Sequence, residues 1–211
     1  MKIFIVVFLS SGLVISLISV YFSSGKNGSE SPPPLNQIVG NKKILSGDIV
    51  FRLGHGFVSE TLRKLSQKDQ SYSHAGIISI EDGRPMVYHL IGGEYEATTL
   101  RRESLDKFCE PISAQSFALY RILLNDSQRR KVDSLNHYYY HCALPFDNQF
   151  DLTTDSTMYC TEFVYKILSR SGEGKFSITS SMLSGFMYIG CDDIYLNPAC
   201  QKIVSFTYNK N

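Results

Sequence analysis

An uncharged apolar run near the start of the chain limits which residues can build the folded domain. Ile3 to Phe22 are twenty consecutive residues without a charge, and Lys2 precedes them. About 20 apolar residues are enough for a helix to cross the core of a bilayer, whereas a secretory signal usually has a shorter apolar core and a small-residue cleavage site. We therefore predict a membrane anchor or a signal segment over residues 1–24. Either one would place the following domain outside the cytoplasm.

The next segment has the composition of a linker. Within residues 25–45, glycines and serines precede three consecutive prolines that begin at Pro32. Proline runs stiffen and extend a chain, while glycine and serine loosen it. We expect the folded domain to span residues 46–211.

The composition suits a folded domain and argues against one class of partner. The chain has 211 residues, 43% of them hydrophobic, with 13 Phe and 13 Tyr, which is enough for a substantial core. The formal net charge is +1, and acidic and basic residues are nearly balanced. Because nucleic-acid-binding domains usually carry a basic patch, we expect no nucleic-acid partner. The composition does not indicate an oligomeric state.

Hydrophobic patterns predict the strands and helices of a small α+β domain. Ala75–Ile80 is an apolar, β-branched run, and the turn-forming residues 81–85 separate it from Met86–Leu90, so these segments predict a β-hairpin. Strands before and between a few helices are typical of an antiparallel sheet packed against helices. The other predicted elements are strands over 47–52, 117–124 and 203–208, and helices over 57–65, 126–142 and 159–168.

Cys160 is placed where a nucleophilic thiol is expected. It lies in the first turn of the predicted helix 159–168, after the capping-type residues Asp155, Ser156 and Thr157. The thiolate is the nucleophile, and the partial positive charge of a helix N-terminus lowers the pKa of a thiol. The chain has five cysteines, an odd number that leaves one thiol unpaired in an exported protein, and we expect Cys160 to be free. A buried structural cysteine is the alternative interpretation.

His74 and His89 lie on the two strands of the predicted hairpin. His74 begins its strand, where a side chain can point into a cleft, and Gly76 on the same face leaves room for close approach. If the turn centres near residues 82–83, residue 74 faces about residue 91, and His89 lies one diagonal step away. His89 could then hold the His74 ring in one tautomer, as the third member of a catalytic triad does. Ordinary structural roles are the alternative for both histidines.

Several short motifs follow one another in a distinctive order along the domain. They are GDIVF at 47–51, SHAGI at 73–77, VY at 87–88, LPFD at 144–147 with Phe150, YCTEFV at 159–164 and DDI at 192–194. In this order and spacing, the motifs resemble the permuted papain-like cysteine hydrolases of the NlpC superfamily, the YiiX/YaeF-like group. The histidine precedes the cysteine, as in the permuted members, whereas ordinary members have the cysteine first. The resemblance covers roughly residues 44–206.

The resemblance implies a permuted papain-like α+β fold and a catalytic triad of Cys160, His74 and His89. We expect no metal or other cofactor. Members near this group often have Glu at the position of His89, and the tyrosine of the family's Tyr-Asp motif is replaced by Phe146. His74 would take the proton of the thiol, or the two would rest as an ion pair. The thiolate would attack an amide or ester carbonyl to form a thioester, and backbone N–H groups at the helix start would stabilise the oxyanion. These features predict a cysteine hydrolase, amidase or acyltransferase.

The sequence leaves two alternatives and the substrate open. Cys160, His74 and His89 could instead bind Zn²⁺, with His55 as a fourth ligand. The domain could also be a non-catalytic, membrane-tethered binding module, because a fold does not determine a function. For a hydrolase, the substrate is either a cell-wall peptide or a lipid amide or ester, since unpermuted relatives cut wall peptides and permuted ones include lipid-acting acyltransferases.

Overall fold

The domain is built on a six-stranded antiparallel sheet and a separate two-stranded hairpin. The computed structural model describes residues 32–92, 99–172, 176–183 and 185–209. The strands are β1 (Ile49–Leu53), β2 (His74–Glu81), β3 (Arg84–His89), β4 (Arg101–Ser104), β5 (Ser116–Ile122), β6 (Ser181–Leu183), β7 (Phe186–Tyr188) and β8 (Cys200–Thr207). The helices are α1 (Leu35–Val39), α2 (Gly56–Arg63), α3 (Leu105–Cys109), α4 (Asp126–His141), α5 (Cys160–Ser171) and α6 (Cys191–Tyr195). The large sheet has the order β4-β3-β2-β1-β5-β8, and β6 pairs with β7.

Side chains of the central strands alternate between two cores, one on each face of the large sheet. In β1, Ile49 and Phe51 belong to one core and Val50 to the other; in β2, Ala75 and Ile78 are divided in the same way. Successive side chains of a strand point to opposite faces. Helices α4, α5 and α6 contribute to the first core, and α1 and α3 contribute to the second. The predicted antiparallel sheet packed against helices is confirmed.

The β2–β3 hairpin has the predicted register. Ile77 pairs with Tyr88, and the strands are joined by the two residues Asp82 and Gly83, whose φ angles are 48° and 76°. Positive φ at both central residues is typical of the type I′ turn, whose twist matches that of the strands. This register brings the first residue of β2 and the last residue of β3 to the same end of the hairpin.

Part of the predicted linker packs against the domain. Helix α1 lies within residues 25–45, and its Val39 is buried in the second core with Leu35 and Ile38 packed beside it. The packed part of the chain therefore begins before residue 46. The predicted anchor or signal at 1–24 lies outside the described residues. Within the described ranges, no helix combines the length and the apolar character that crossing a bilayer requires.

Candidate active site

Cys160 is the first residue of helix α5, at the predicted start of a helix. The carboxylate of Glu162 accepts the backbone N–H of Tyr159 at 3.2 Å, which caps the helix start. Lys166 Nζ lies 2.7 Å from the same carboxylate, but burial dominates and raises the pKa of Glu162 to about 7. The hydroxyl of Tyr159 accepts the N–H of Ile189 at 2.7 Å. These contacts fix the position of the backbone at the start of α5, where Cys160 lies.

The Cys160 thiol lies against the backbone that follows His74. Burial raises the pKa of this thiol, and the nearby backbone N–H groups of Ala75, Thr161 and Cys160 itself oppose that rise. The prediction that the helix start lowers the pKa is therefore wrong in its net sign. The physical reason is that Cys160 is only 9% exposed, and burial disfavours the charged thiolate. All five cysteines are free thiols, and the resting Cys160 is neutral.

His74 and His89 contact each other at one end of the hairpin. Nε2 of His74 lies 2.9 Å from Nδ1 of His89, and the ring planes are nearly perpendicular, with centroids 5.1 Å apart. The ring of His74 also stacks on Phe108 of α3, at a centroid distance of 5.6 Å. His89 is fully buried and His74 is 8% exposed. The orientation of the His74 ring is therefore set by two buried neighbours, His89 of β3 and Phe108 of α3.

Two charged residues that the sequence did not indicate surround this histidine pair. Oε1 of Glu103 in β4 lies 3.0 Å from Nε2 of His89, although the ring N–H does not point straight at the oxygen. Arg52 of β1 lies opposite His74 in the β1–β2 register. The guanidinium of Arg52 lies 3.8 Å from Glu103 and stacks over the ring of Phe108 at 4.3 Å. Arg52 is the single charged residue in the strand IVFRL. A lone charge in an apolar strand was the one feature of the sequence that could have indicated a residue of the site.

Both histidines are neutral in the folded protein. Burial lowers the pKa of His74 well below its usual value, and the positive charge of Arg52 lowers it further. Burial also lowers the pKa of His89, although Glu103 opposes the effect. A neutral imidazole has one nitrogen with a free lone pair, which can accept a proton. Either ring can therefore act as a general base, and His74 directly precedes Ala75, whose backbone adjoins the thiol.

A small recess lies beside Cys160. Its volume is about 30 Å³, so little free space is left beside the sulfur. We therefore expect the walls of the recess to influence how readily a substrate carbonyl reaches the sulfur. Its walls are mainly apolar and include Leu62, Leu65, Phe150, Tyr159, Tyr188 and Ile189.

The acidic residues of the later motifs support loops. Asp147 accepts the backbone N–H groups of Gln149 at 2.8 Å and Asp151 at 2.6 Å. Asp192 of α6 accepts the backbone N–H of Lys68 at 2.7 Å, which ties the segment after α2 to α6. These contacts shape the loop after α4 and the segment after α2, both of which contribute walls to the recess.

The four residues considered as zinc ligands do not form a metal-binding group. His55 is exposed at the start of α2, and its Nε2 lies 2.9 Å from the carbonyl oxygen of Pro111. The facing nitrogens of His74 and His89 are engaged with each other. Across residues 32–92, 99–172, 176–183 and 185–209, no group of three or more potential ligands is arranged to hold a metal ion.

Comparison with protein-family models and with curated proteins found no match. Among solved structures, the chain is similar to a crystal structure described as the metalloprotein YiiX from Escherichia coli O157:H7, DUF1105. The TM-score is 0.64, the sequence identity is 16%, and the match covers 79% of this chain and 100% of that chain. At this identity, the likeness establishes the fold. The chain therefore has the fold of YiiX, the group that its sequence motifs resemble.

Proposed function

We propose that this chain is a thiol-dependent hydrolase or acyltransferase that acts on an amide or ester bond. The observation that carries the proposal is the meeting of helix α5 with the hairpin. The Cys160 sulfur lies beside the backbone N–H of Ala75, the residue after His74, and the ring of His74 is held by His89 at 2.9 Å. A nucleophile, a neighbouring base and a group that orients the base are the parts that covalent acyl transfer requires.

The proposed reaction starts from a neutral thiol and a neutral imidazole. His74 takes the proton of Cys160 as the sulfur attacks the substrate carbonyl, and backbone N–H groups at the start of α5 stabilise the oxyanion. The protonated His74 then gives its proton to the leaving amine or alcohol, and a thioester remains on Cys160. Water, activated by His74, hydrolyses the thioester in a hydrolase. In an acyltransferase, an alcohol or amine takes the place of water.

The substrate that we propose is a cell-envelope peptide or a lipid amide or ester. The support for this location comes from the sequence, because the apolar run Ile3–Phe22 is long enough to hold the domain at a membrane. The same proposal places the catalytic domain outside the cytoplasm. Peptide and lipid substrates are distinguished by assaying the full chain against both.

A metal-dependent hydrolase is a second candidate, because the similar YiiX structure is described as a metalloprotein. In this chain, the two facing ring nitrogens of His74 and His89 are 2.9 Å apart and at hydrogen-bond distance, so one donates to the other and the pair does not offer two free lone pairs to an ion. These residues do not fit a metal site in the arrangement observed, and no step of the proposed reaction uses a metal. Elemental analysis of the full chain, with activity measured before and after chelator treatment, tests this candidate.

The proposed function is tested by labelling Cys160 with a thiol-reactive electrophile near neutral pH. The full chain is labelled in detergent on a Cys142→Ala background, because Cys142 is exposed and would otherwise react as well. We expect His74→Ala to slow the labelling of Cys160 by about 100-fold or more, the contribution of a general base. His141→Ala is the matched control, since His141 is exposed at the end of α4.

The opposite result would favour the non-catalytic binding module. Slow labelling of Cys160 that is the same in the parent chain and in His74→Ala would contradict a thiol–imidazole site. A Cys160→Ala variant that retains full turnover of an ester or amide substrate would also contradict it.

A further inference from the structure

We propose that Glu103 is a positioning residue that fixes the protons of both histidines, so that Nδ1 of His74 is the atom that accepts the thiol proton. The catalytic part of this inference rests on the function proposed above. The placement of the protons does not, and it is measurable separately.

Glu103 is held as a carboxylate at the outer strand of the large sheet. It lies on β4, opposite Val87 of β3, and its carboxylate is 3.8 Å from the cationic groups of both Arg52 and Lys107. Burial raises the pKa of Glu103, but His89 and these two cations lower it by more, so its pKa is below the usual value. An ionised carboxylate can accept hydrogen bonds but cannot donate them.

The carboxylate determines which nitrogen of His89 carries the proton. Nε2 of His89 lies 3.0 Å from Oε1 of Glu103, in a ring that is fully buried. If this nitrogen were unprotonated, two atoms that can only accept hydrogen bonds, one of them anionic, would lie 3.0 Å apart, which is unfavourable in a buried site. Nε2 of His89 therefore carries the proton. Because the ring is neutral, Nδ1 of His89 has the free lone pair.

The protonation of His89 in turn determines that of His74. Nδ1 of His89 is now an acceptor, and its neighbour at 2.9 Å is Nε2 of His74. Nε2 of His74 must therefore donate. A neutral His74 ring with a proton on Nε2 has an unprotonated Nδ1, and this is the nitrogen left to accept the proton of Cys160. A single carboxylate thus sets the tautomer of two rings, and its negative charge also stabilises the positive charge that His74 gains during the reaction.

The contacts from Glu103 to His89 and from His89 to His74 add Glu103 to the predicted triad as a fourth residue. The family resemblance places the orienting group at the position of His89, and members near this group often have a carboxylate there. Here a histidine occupies that position, and the carboxylate is one strand further out, on β4. The histidine transmits the influence of Glu103 to the base.

The direct test is nitrogen NMR of the full chain in detergent, with ¹⁵N-labelled histidine and assignment by His74→Gln and His89→Gln. In the parent chain, we expect both rings to show a protonated Nε2 and an unprotonated Nδ1. In Glu103→Ala, we expect His89 to become a mixture of the two tautomers. Glu110→Gln is the control, because the Glu110 carboxylate accepts the hydroxyl of Ser113. A protonated Nδ1 on His89 in the parent chain would overturn the inference without reference to any variant.

The kinetic test separates this inference from the proposed function. We expect the Cys160 labelling rate to fall on the order of tenfold in Glu103→Ala, as is usual when an outer orienting group is removed, and to recover partly in Glu103→Gln, whose amide oxygen still accepts. Labelling that depends on His74 but is unchanged in Glu103→Ala would overturn the positioning role alone. A third outcome is that NMR shows the expected tautomers while Cys160 labelling is the same with and without His74. This result would support the proposed proton arrangement and overturn the proposed hydrolase function.

Discussion

The two sides of the candidate site are built in opposite ways. The base side consists of His74, His89, Glu103 and Arg52, which lie on four adjacent strands and contact one another over 2.9 to 3.8 Å. The nucleophile side is the apolar recess of about 30 Å³ around Cys160, whose walls come from α2, α5, α6, β7 and the segments that connect them. The comparison indicates that the base is preorganised by the sheet, whereas access to the sulfur depends on elements outside the sheet. The following predictions test each side.

We expect the largest effect on stability and on Cys160 labelling from replacing His89, the central residue of the base side. His89→Leu removes the acceptor for His74 and the nearest partner of Glu103, and leaves Nε2 of the buried His74 without its hydrogen bond. We expect the free energy of unfolding to fall by about 2–3 kcal/mol and Cys160 labelling to slow strongly. Chemical denaturation and labelling rates measure the two effects. His141→Leu is the exposed control, and a His89→Leu chain as stable and as reactive as the parent would contradict a preorganised base.

Acid should destabilise the protein through the same histidines. Burial lowers the pKa of both His74 and His89 in the folded chain, while the unfolded chain binds protons below about pH 6.5. Stability is therefore present above that pH and decreases as the pH falls below it, by up to about 1.4 kcal/mol per pH unit for each group. Melting temperatures measured between about pH 7 and 5 test this, and His89→Gln should reduce the slope. A melting temperature that rises on acidification would contradict it.

The ionisation of Cys160 gives a smaller effect that concerns the nucleophile side. Because burial raises the pKa of this thiol, its labelling rate should continue to increase with pH beyond the point where a free thiol with a pKa near 8.5 has levelled off. A short peptide with one cysteine and blocked termini, labelled in the same buffers, is the reference. A labelling curve for Cys160 that levels off at lower pH than the reference would indicate a thiolate–imidazolium pair and contradict the neutral resting site.

The smallest effect is expected from widening the recess. Leu65→Ala removes part of an apolar wall beside Cys160, and we expect Cys160 labelling to become a few times faster while the dependence on His74 remains. Leu123→Ala is the control, because Leu123 is 77% exposed and does not line the recess. If Leu65→Ala leaves the labelling rate unchanged, access to the sulfur is not limited by this wall.

Local sequence signals were sufficient for the elements that carry the predicted triad. The β2–β3 hairpin follows from two apolar runs around Asp82 and Gly83, because a two-residue turn with positive φ restricts the register of its strands. Helix α5 follows from its apolar spacing and start signals, which place Cys160 in the first turn. The order of these motifs predicted the fold of YiiX, and the structure comparison confirmed that fold.

Features that depend on long-range packing were not available from local patterns. Strand β4 has the sequence RRES, with no apolar alternation, so its presence and the contact of Glu103 with His89 depend on pairing with β3. Phe108 stacks on His74 from α3, a helix of five residues that is too short for a clear period. Helix α1 lies in a segment whose prolines and glycines predicted a linker.

The sequence by itself determined the type of fold, the hairpin register and the positions of Cys160, His74 and His89 in their elements, because turns, caps and apolar periods are local properties. Only the tertiary structure decided the charge states and the neighbours of those residues. Burial of Cys160 outweighs the backbone N–H groups that favour the thiolate, and Glu103 meets His89 across a strand pair. Both outcomes depend on which distant segments exclude water from the site, and this depends on how the whole sheet and its helices pack.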